Sequence, residues 1–324
     1  MKSSKELKLN TDSTEASLFM RRYGIGIIML GMIAILAIVS PTFRTPGNII
    51  SILLQVSING ILALGMVFVI TTGGIDLSLG SMLALTSVIV GQVLESNGNI
   101  FLACILSIAA TTLFGFINGF LIAKFNMFPF VVTLATQLVI RGSAYIISGG
   151  YSMSLANADF KLIGNGKLFN LVPYPIVVMA IVAVIAFVLM HCTKYGRYTY
   201  AVGGNMNAAI ASGVNVFWTR TGAYIICGLC AGIAGIIMTS RITAAQPNIG
   251  MGYETDAVAA CVIGGTSFAG GIATIPGTII GIIIIGLIYN GMNLLGISSY
   301  WQTIAKGLLI IGAVMLDMFI NKKK

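Results

Sequence analysis

The chain has 324 residues, of which 57% are hydrophobic and only 8% are charged. Soluble domains carry roughly 25% charged residues, so this composition excludes a soluble globular protein and indicates an integral membrane protein. The net charge of +9 does not indicate a nucleic-acid partner, because the basic residues are scattered at the ends of apolar segments. A span needs roughly 20 apolar residues, which leaves room for about ten spans and no sizeable soluble domain.

The first half of the chain predicts a tail followed by five spans. Residues 1–22 are polar and are expected to form a cytoplasmic tail. Arg21 and Arg22 precede the first apolar segment, and basic residues beside a membrane segment favour its cytoplasmic side. The predicted spans are 23–39, 48–72, 77–94, 101–123 and 129–147.

The second half begins with a polar stretch, residues 148–172, that is predicted to form a periplasmic loop. Pro173 opens the sixth span, which leads to a glycine-punctuated polar loop at 193–217. Lys194, Arg197 and Arg220 indicate that this loop is cytoplasmic. The remaining predicted spans are 218–240, 254–268, 276–295 and 301–320, followed by a cytoplasmic tail at 321–324.

The predicted fold is therefore an all-α integral membrane protein with about ten transmembrane helices, both termini in the cytoplasm and one membrane domain over residues 23–320. Glycines break the segment 254–268, which either crosses the membrane or is re-entrant. Two similar patterns, with Asn118-Gly119 and Asn290-Gly291, each follow a glycine-broken segment. An inverted repeat of five helices, common in transporters, is a hypothesis that fits them.

The cytoplasmic loop contains a candidate short helix at residues 207–212, NAAIAS. We expect Gly203, Gly204 and Asn205 to open this helix and Gly213 to close it. Two interpretations are open on the pattern alone. The helix binds a cytosolic partner, or the loop only joins two spans.

A second candidate site lies at Gly73, Gly74, Asp76 and Ser78, where two glycines interrupt an apolar segment. We expect Asp76 to be the N-cap of the following helix. A broken helix at membrane depth is tolerated only where protein buries it or where it lines a cavity. Asp76 is accordingly a structural cap, a polar residue of a solute pathway, or a proton-carrying carboxylate.

Glu254 and Asp256 form a third candidate site. Both suit the first turn of a helix, where negative charge meets the positive end of the helix dipole. The alternative is an external gate or a contact with a partner protein. Arg141 and Lys306 either pair with these acids or extend to the membrane surface.

Enzyme chemistry has no visible site in this sequence. No G-x-x-x-x-G-K-[ST] motif occurs, so we do not expect the chain to hydrolyse nucleotide. Cys227 and Cys230 have the spacing of a zinc or redox pair, but they lie in an apolar segment and His191 is the only histidine. Packing is the favoured interpretation of these cysteines, and we expect no metal or cofactor in the chain.

Four stretches carry a resemblance to a known family: GGIDLSLGS (73–81), GRYTYAVGGNMNAAIASGVNV (196–216), AAQPNIGMGYETDAVAACVIGGTSFAGG (244–271) and YNGMNLLGISSYWQ (289–302). They resemble, in this order, the permease subunits of bacterial ABC importers for monosaccharides. The branch is that of the ribose, galactose and xylose systems, and the chain is most similar to the ribose member. One departure is the apolar segment 272–275, where the ribose branch is expected to have a more polar turn.

The resemblance implies a homodimer of permease chains in the bacterial inner membrane, surrounded by lipid. It also implies a periplasmic sugar-binding protein, and a cytosolic ABC ATPase that binds the ATP and magnesium. The loop would supply a coupling helix for the ATPase, with contacts at Gly203, Gly204, Asn205, Ala208, Ala209, Ser212 and Gly213. The alternative function is an ion-coupled secondary transporter or channel that uses Asp76 or Glu254.

Overall fold

The computed structural model describes residues 24–321 of the chain. The predicted N-terminal tail lies outside this range, as do residues 322–324 of the predicted C-terminal tail. Helices dominate the described residues, and the β-structure there consists of two antiparallel pairs of two-residue strands. The prediction of an all-α architecture is confirmed.

Residues 24–321 form thirteen α-helices. In chain order they are α1 (Gly24–Val39), α2 (Pro46–Thr71), α3 (Leu79–Asn97), α4 (Ile100–Lys124), α5 (Pro129–Ser148), α6 (Ala158–Asn165), α7 (Tyr174–Phe187), α8 (Lys194–Gly204), α9 (Met206–Ala211), α10 (Val216–Ile242), α11 (Tyr253–Ile263), α12 (Ile275–Leu294) and α13 (Ser299–Asn321). A π-helical turn, Val188–Cys192, extends α7. The strand pairs are β1 (Met153–Ser154) with β4 (Ala244–Ala245), and β2 (Lys167–Leu168) with β3 (Val172–Pro173).

Side-chain caps explain where many of these helices begin. The capping oxygen accepts a hydrogen bond from the backbone N–H three residues further on, which satisfies one of the free donors of a helix N-terminus. The residues that cap helices in this way are Thr45, Asn99, Asn157, Thr193, Asn205, Asn215 and Thr274.

Seven helices within residues 24–321 are long and apolar enough to cross a membrane: α2, α3, α4, α5, α10, α12, and α7 together with its π turn. The described part of α1 has only 16 residues. The chain is thus a multi-helix membrane protein, and the full count of ten crossings remains a prediction.

The helices α2 and α10 pack against each other at the centre of the bundle. A β-carbon on Gly65 of α2 would lie 3.0 Å from the Cα of Cys227 and 2.9 Å from the Cβ of Cys230, so the two backbones approach closely. Both cysteines are buried and free, as the packing interpretation requires. In the outer helices α4, α5 and α7, only 22%, 22% and 17% of the span residues are buried.

The segment 254–268, which the sequence predicted to be broken by glycines, is not a continuous helix. The helix α11 ends at Ile263, and 11 residues extend only about 16 Å. Residues 264–274 that follow are irregular, with Gly265, Gly270 and Gly271 at positive φ. An irregular stretch, residues 246–252, leads into α11 instead, and the backbone N–H of Gln246 donates to the Ser87 Oγ of α3 at 3.1 Å.

The polar stretches contain more structure than expected. The helix α6 lies within 148–172 and is held against the end of α10. Ser240 Oγ donates to the Phe160 carbonyl at 2.6 Å and accepts from the Gly164 N–H at 2.7 Å. The helix α8 occupies the first half of 193–217. Both helices begin at caps that the sequence shows, Asn157 and Thr193.

Candidate functional site: a junction of three backbone segments

Three backbone segments meet where α2 and α8 end. They are Thr71–Gly73, Gly203–Gly204 and Gly270–Gly271, and we call their meeting point the glycine junction. The Gly271 N–H donates to the Thr71 carbonyl oxygen at 2.9 Å. A β-carbon on Gly203 would collide with the same carbonyl oxygen and would lie 2.5 Å from the Gly271 nitrogen. Only glycine therefore fits at position 203 without displacing a backbone.

The segment 270–273 is tied to α8 by further contacts. A β-carbon on Gly271 would lie 2.7 Å from the Cα of Gly204, and both Gly270 and Gly271 have positive φ. The Tyr200 hydroxyl donates to the Ala273 carbonyl at 2.8 Å. Burial raises the pKa of the Tyr200 hydroxyl, so this donor keeps its proton at neutral pH.

The short helix predicted at 207–212 is α9, Met206–Ala211, one residue earlier. Asn205 is its N-cap, accepting from the Ala208 N–H at 3.0 Å, and Gly213 follows it at a φ of 78°. The predicted role of Gly203 and Gly204 in opening this helix was wrong. These two glycines end α8, because the chain turns only at Asn205.

The predicted contact residues in and around α9 do not all lie on its exposed face. Ala209 is 3% exposed and packs inward. The predicted contacts Gly204, Asn205, Ala208, Ser212 and Gly213 are exposed, whereas Gly203 is only partly so. Sequence reasoning missed Ile210, which is 56% exposed. The available signal was one large apolar side chain in a run of small and polar residues.

Asp76 lies in the connection between α2 and α3 and is fully buried. Its Oδ1 accepts hydrogen bonds from the Ser78 N–H at 2.9 Å and from the Ser78 Oγ at 2.5 Å. The predicted bond from Asp76 to a free N–H at the start of α3 is present, but the cap position itself is two residues later, at Ser78, whose side chain makes no cap bond. Asp76 instead fixes the turn that precedes the cap, by bonding the Ser78 N–H.

Neighbouring helices hold the same connection. Asn118 Nδ2 of α4 donates to Ser78 Oγ at 3.0 Å, and the Tyr224 hydroxyl of α10 donates to the Ile75 carbonyl at 3.2 Å. Gly74 leaves room for the Tyr224 hydroxyl, which would lie 2.5 Å from a β-carbon there. The α2–α3 connection is therefore joined to α4, to α10 and, through Thr71, to the glycine junction.

Glu254 and Asp256 both lie in the first turn of α11, and both are buried. Lys306 of α13 forms an ion pair with Asp256 Oδ1 at 2.8 Å, and the Tyr289 hydroxyl donates to the same oxygen at 2.8 Å. Arg141 Nη1 donates to the carbonyls of Pro247 and Ile249. The sequence left the partners of these two cations open. Lys306 pairs with an acid, whereas Arg141 bonds carbonyl oxygens.

The three candidate sites are thus connected but distinct. The glycine junction brings Gly203 and Gly204 together with the connection that contains Gly73 and Asp76. Glu254 and Asp256 lie at the opposite end of α11 from the irregular segment 264–274 that reaches the junction.

Comparison with known proteins identifies the family. A family model described as "Branched-chain amino acid transport system / permease component" matches residues 48–314. The chain belongs to this family. The permease is 44% identical over 300 residues to the ribose import permease protein RbsC of Bacillus subtilis, with 92% of this chain and 93% of that protein covered. No solved structure matches it.

Other relatives carry different sugar names. The permease is 38% identical over 308 residues to the D-allose transport system permease protein AlsC of Escherichia coli, with 94% of each chain covered. It is 36% identical over 303 residues to the L-arabinose transport system permease protein AraH of Escherichia coli, with 94% of this chain and 92% of that protein covered. The permease is a multi-pass membrane subunit of a transport system.

Proposed function

We propose that the permease is the membrane-spanning subunit of an ATP-driven ABC importer in the bacterial inner membrane, and that its solute is a monosaccharide of the ribose type. The observation that carries this proposal is the 44% identity with a ribose import permease over 92% of the chain. The allose and arabinose permeases are less similar, at 38% and 36%. Galactose, xylose and related sugars remain alternatives for the substrate.

We further propose ten crossings with both termini in the cytoplasm. The seven long apolar helices supply seven of them. The others are α1, α13, and α11 with the irregular stretch 246–252 that precedes it. In this orientation α8 and α9 are cytosolic, whereas α6 is periplasmic.

The packing of the helices supports an inverted repeat of α1–α5 and of α7 with α10–α13. The helix α4 packs on α10 as α12 packs on α2, and α3 packs on α10 as α11 packs on α2. The pairs α3–α4 and α3–α5 likewise correspond to α11–α12 and α11–α13. The pairs α2–α10 and α3–α11 then lie on the symmetry axis, as expected for two halves related by a two-fold axis.

The helix α9 is the proposed docking point for the cytosolic ABC ATPase, which binds the ATP and magnesium. Ile210 would bury its exposed side chain in a cleft of the ATPase, with Gly204, Asn205, Ala208, Ser212 and Gly213 around it. A central apolar residue surrounded by small and polar contacts is the usual arrangement of an interface hot spot. Ala209 would act by packing α9 onto the permease.

We propose that the glycine junction transmits movement of α9 to the membrane domain. A displacement of α8 displaces Thr71 and Gly271 directly, because these backbones leave no space beside Gly203. Thr71 leads into the connection that holds Asp76, and Gly271 leads into the segment that follows α11. A single movement of α9 would then displace backbone in both halves of the repeat.

The remaining parts of the system complete the proposal. Two copies of the permease would form a homodimer around the pathway, and a periplasmic binding protein would deliver the sugar. Glu254 and Asp256 would form a gate at the start of α11. An ion-coupled transporter that uses Asp76 or Glu254 is the rival function.

The test uses the complex of permease and ATPase in lipid nanodiscs with the binding protein loaded with ribose, allose or arabinose. Stimulation of ATP hydrolysis by the ribose-loaded protein, and less by the other two, supports the proposal. Equal hydrolysis with and without any loaded binding protein would contradict it.

A further inference from the structure

Residues 246–252, between β4 and α11, form an irregular stretch inside the helix bundle. We call it the α10–α11 turn. It runs beside α3, where Gln246 bonds Ser87 and where a β-carbon on Gly250 would lie 3.3 Å from the side chain of Leu83. The helix α3 is 19 residues long, about 28 Å, and crosses the bundle. The turn therefore lies within the thickness of the membrane domain.

One side of this turn is packed, and the other is open. Pro247, Ile249 and Gly250 are buried, whereas Asn248 is exposed and Met251 is 62% exposed. Their exposure places an amide, a thioether and irregular backbone on the surface of the isolated chain. Irregular backbone at membrane depth does not face lipid, because lipid cannot satisfy its polar groups. This surface therefore faces water or another protein chain.

Two cations from different helices fix the turn. Arg141 of α5 donates to the carbonyls of Pro247 and Ile249, at 2.9 and 2.7 Å. Lys306 of α13 donates to the Gly252 carbonyl at 2.5 Å and pairs with Asp256. Intramembrane cations of this kind face a protein interior or a water-filled cavity and mark solute pathways. The helices α5 and α13 occupy corresponding places in the two halves of the repeat.

The chemistry of the open side is polar but uncharged. The charge of Lys306 is matched by Asp256, and that of Arg141 by the nearby carboxylate of Glu254. Asn248 and the backbone remain as hydrogen-bonding groups, beside the apolar Met251. Such a surface can hydrogen-bond a neutral polyhydroxylated molecule. Because it offers few hydrogen-bonding groups, it binds the solute weakly enough to release it again.

We propose that the open side of the α10–α11 turn, with Asn248 and Met251, lines the pathway and contacts the hydroxyl groups of the sugar in transit. A second copy of the permease supplies the opposite wall. This inference rests on the proposed function and moves the expected pathway contact away from Asp76, which is fully buried. Asp76 then acts by holding the α2–α3 connection.

The experiment compares two single-cysteine positions of similar exposure in the isolated chain. Met251 is 62% exposed on the turn, and Leu113 is 56% exposed on an apolar groove of α4 and α10. Met251→Cys and Leu113→Cys are made in a Cys104→Ser, Cys192→Ser background, since Cys227, Cys230 and Cys261 are buried. The full complex in nanodiscs is treated with a small charged methanethiosulfonate, which reacts with thiols that water reaches.

We expect the cysteine at 251 to be labelled at least tenfold faster than the cysteine at 113. We also expect its labelling to slow when the sugar-loaded binding protein is docked. Equal, slow labelling of both positions would overturn the inference, whereas ribose-stimulated ATP hydrolysis in the same preparation would leave the proposed function intact.

Asn248→Trp supplies a second measurement that does not depend on labelling. The larger side chain points away from the packed side of the turn, so we expect normal insertion and ATPase capture but at least tenfold slower sugar uptake. Leu113→Trp is the matched control and should transport at the normal rate. Unchanged uptake by Asn248→Trp would overturn the inference.

Discussion

The backbone N–H of Gly271 donates a 2.9 Å hydrogen bond to the carbonyl oxygen of Thr71, although 200 positions separate them in the chain. The bond joins the end of α2 to the irregular segment after α11. Gly203 lies against the same carbonyl with no room for a β-carbon. This one point therefore connects α8, and the α9 helix beyond it, to both broken regions of the membrane domain.

The first prediction compares Gly203→Ala with Gly31→Ala. A β-carbon at 203 collides with Thr71, whereas one at 31, in α1, meets nothing within 4 Å. Overpacking of this kind costs about 1–3 kcal/mol. We expect Gly203→Ala to slow uptake roughly 5–150-fold, the range that corresponds to that energy, and Gly31→Ala to transport normally. Radiolabelled ribose uptake in cells, with membrane insertion followed by immunoblot, measures both. Similar uptake by the two variants would show that the glycine junction does not transmit movement to the membrane domain.

The second prediction concerns Ile210. Burial of an isoleucine side chain at an interface contributes roughly 1.5–3 kcal/mol. Ile210→Asp should therefore weaken capture of the ATPase by about 10–150-fold, and Ile210→Leu, which keeps the apolar volume, should capture it normally. Co-purification of ATPase with tagged permease is the measurement. Normal capture by Ile210→Asp would show that α9 docks through other residues.

The third prediction concerns the ion pair of Lys306 and Asp256. Removal of one partner from a buried pair costs about 3–5 kcal/mol, and we expect the lower end because 19% of the Lys306 side chain is exposed. Lys306→Met should lower the thermal unfolding temperature of the detergent-solubilised permease. The double variant with Asp256→Asn should recover part of the loss, because it leaves no unpaired charge. A double variant as unstable as Lys306→Met would argue against the pair.

The fourth prediction separates two roles of Asp76. An asparagine keeps an oxygen that accepts the Ser78 N–H, so Asp76→Asn should retain uptake within about fivefold, since hydrogen bonds to charged and neutral acceptors differ by roughly 1 kcal/mol. Asp76→Ala leaves the Ser78 donors unsatisfied in a buried site and should lose most uptake. Complete loss of uptake in a correctly inserted Asp76→Asn variant would indicate that the carboxylate carries a proton.

The sequence predicted the positions of most helices because long apolar segments between polar connections are strong local signals. It predicted α9 within one residue because Asn205 and Gly213 are a cap and a stop. These features depend on neighbours in the chain, which a sequence displays directly.

The glycine junction and the α10–α11 turn depend on residues far apart in the chain. The collision between Gly203 and Thr71 has no local signature, and neither do the bonds of Arg141 to Pro247 and Ile249. The inward orientation of Ala209 and the outward orientation of Ile210 follow from how α9 packs. Such relationships require the tertiary structure.

Uptake of radiolabelled ribose into proteoliposomes that contain the purified permease distinguishes an ATP-driven importer from an ion-coupled transporter. We predict uptake only when the ATPase, ATP and the ribose-loaded binding protein are all supplied, and we expect Ile210→Asp to lower it because this variant captures the ATPase more weakly. Uptake by the permease alone, driven by a proton or sodium gradient, would contradict the account and would establish an ion-coupled transporter.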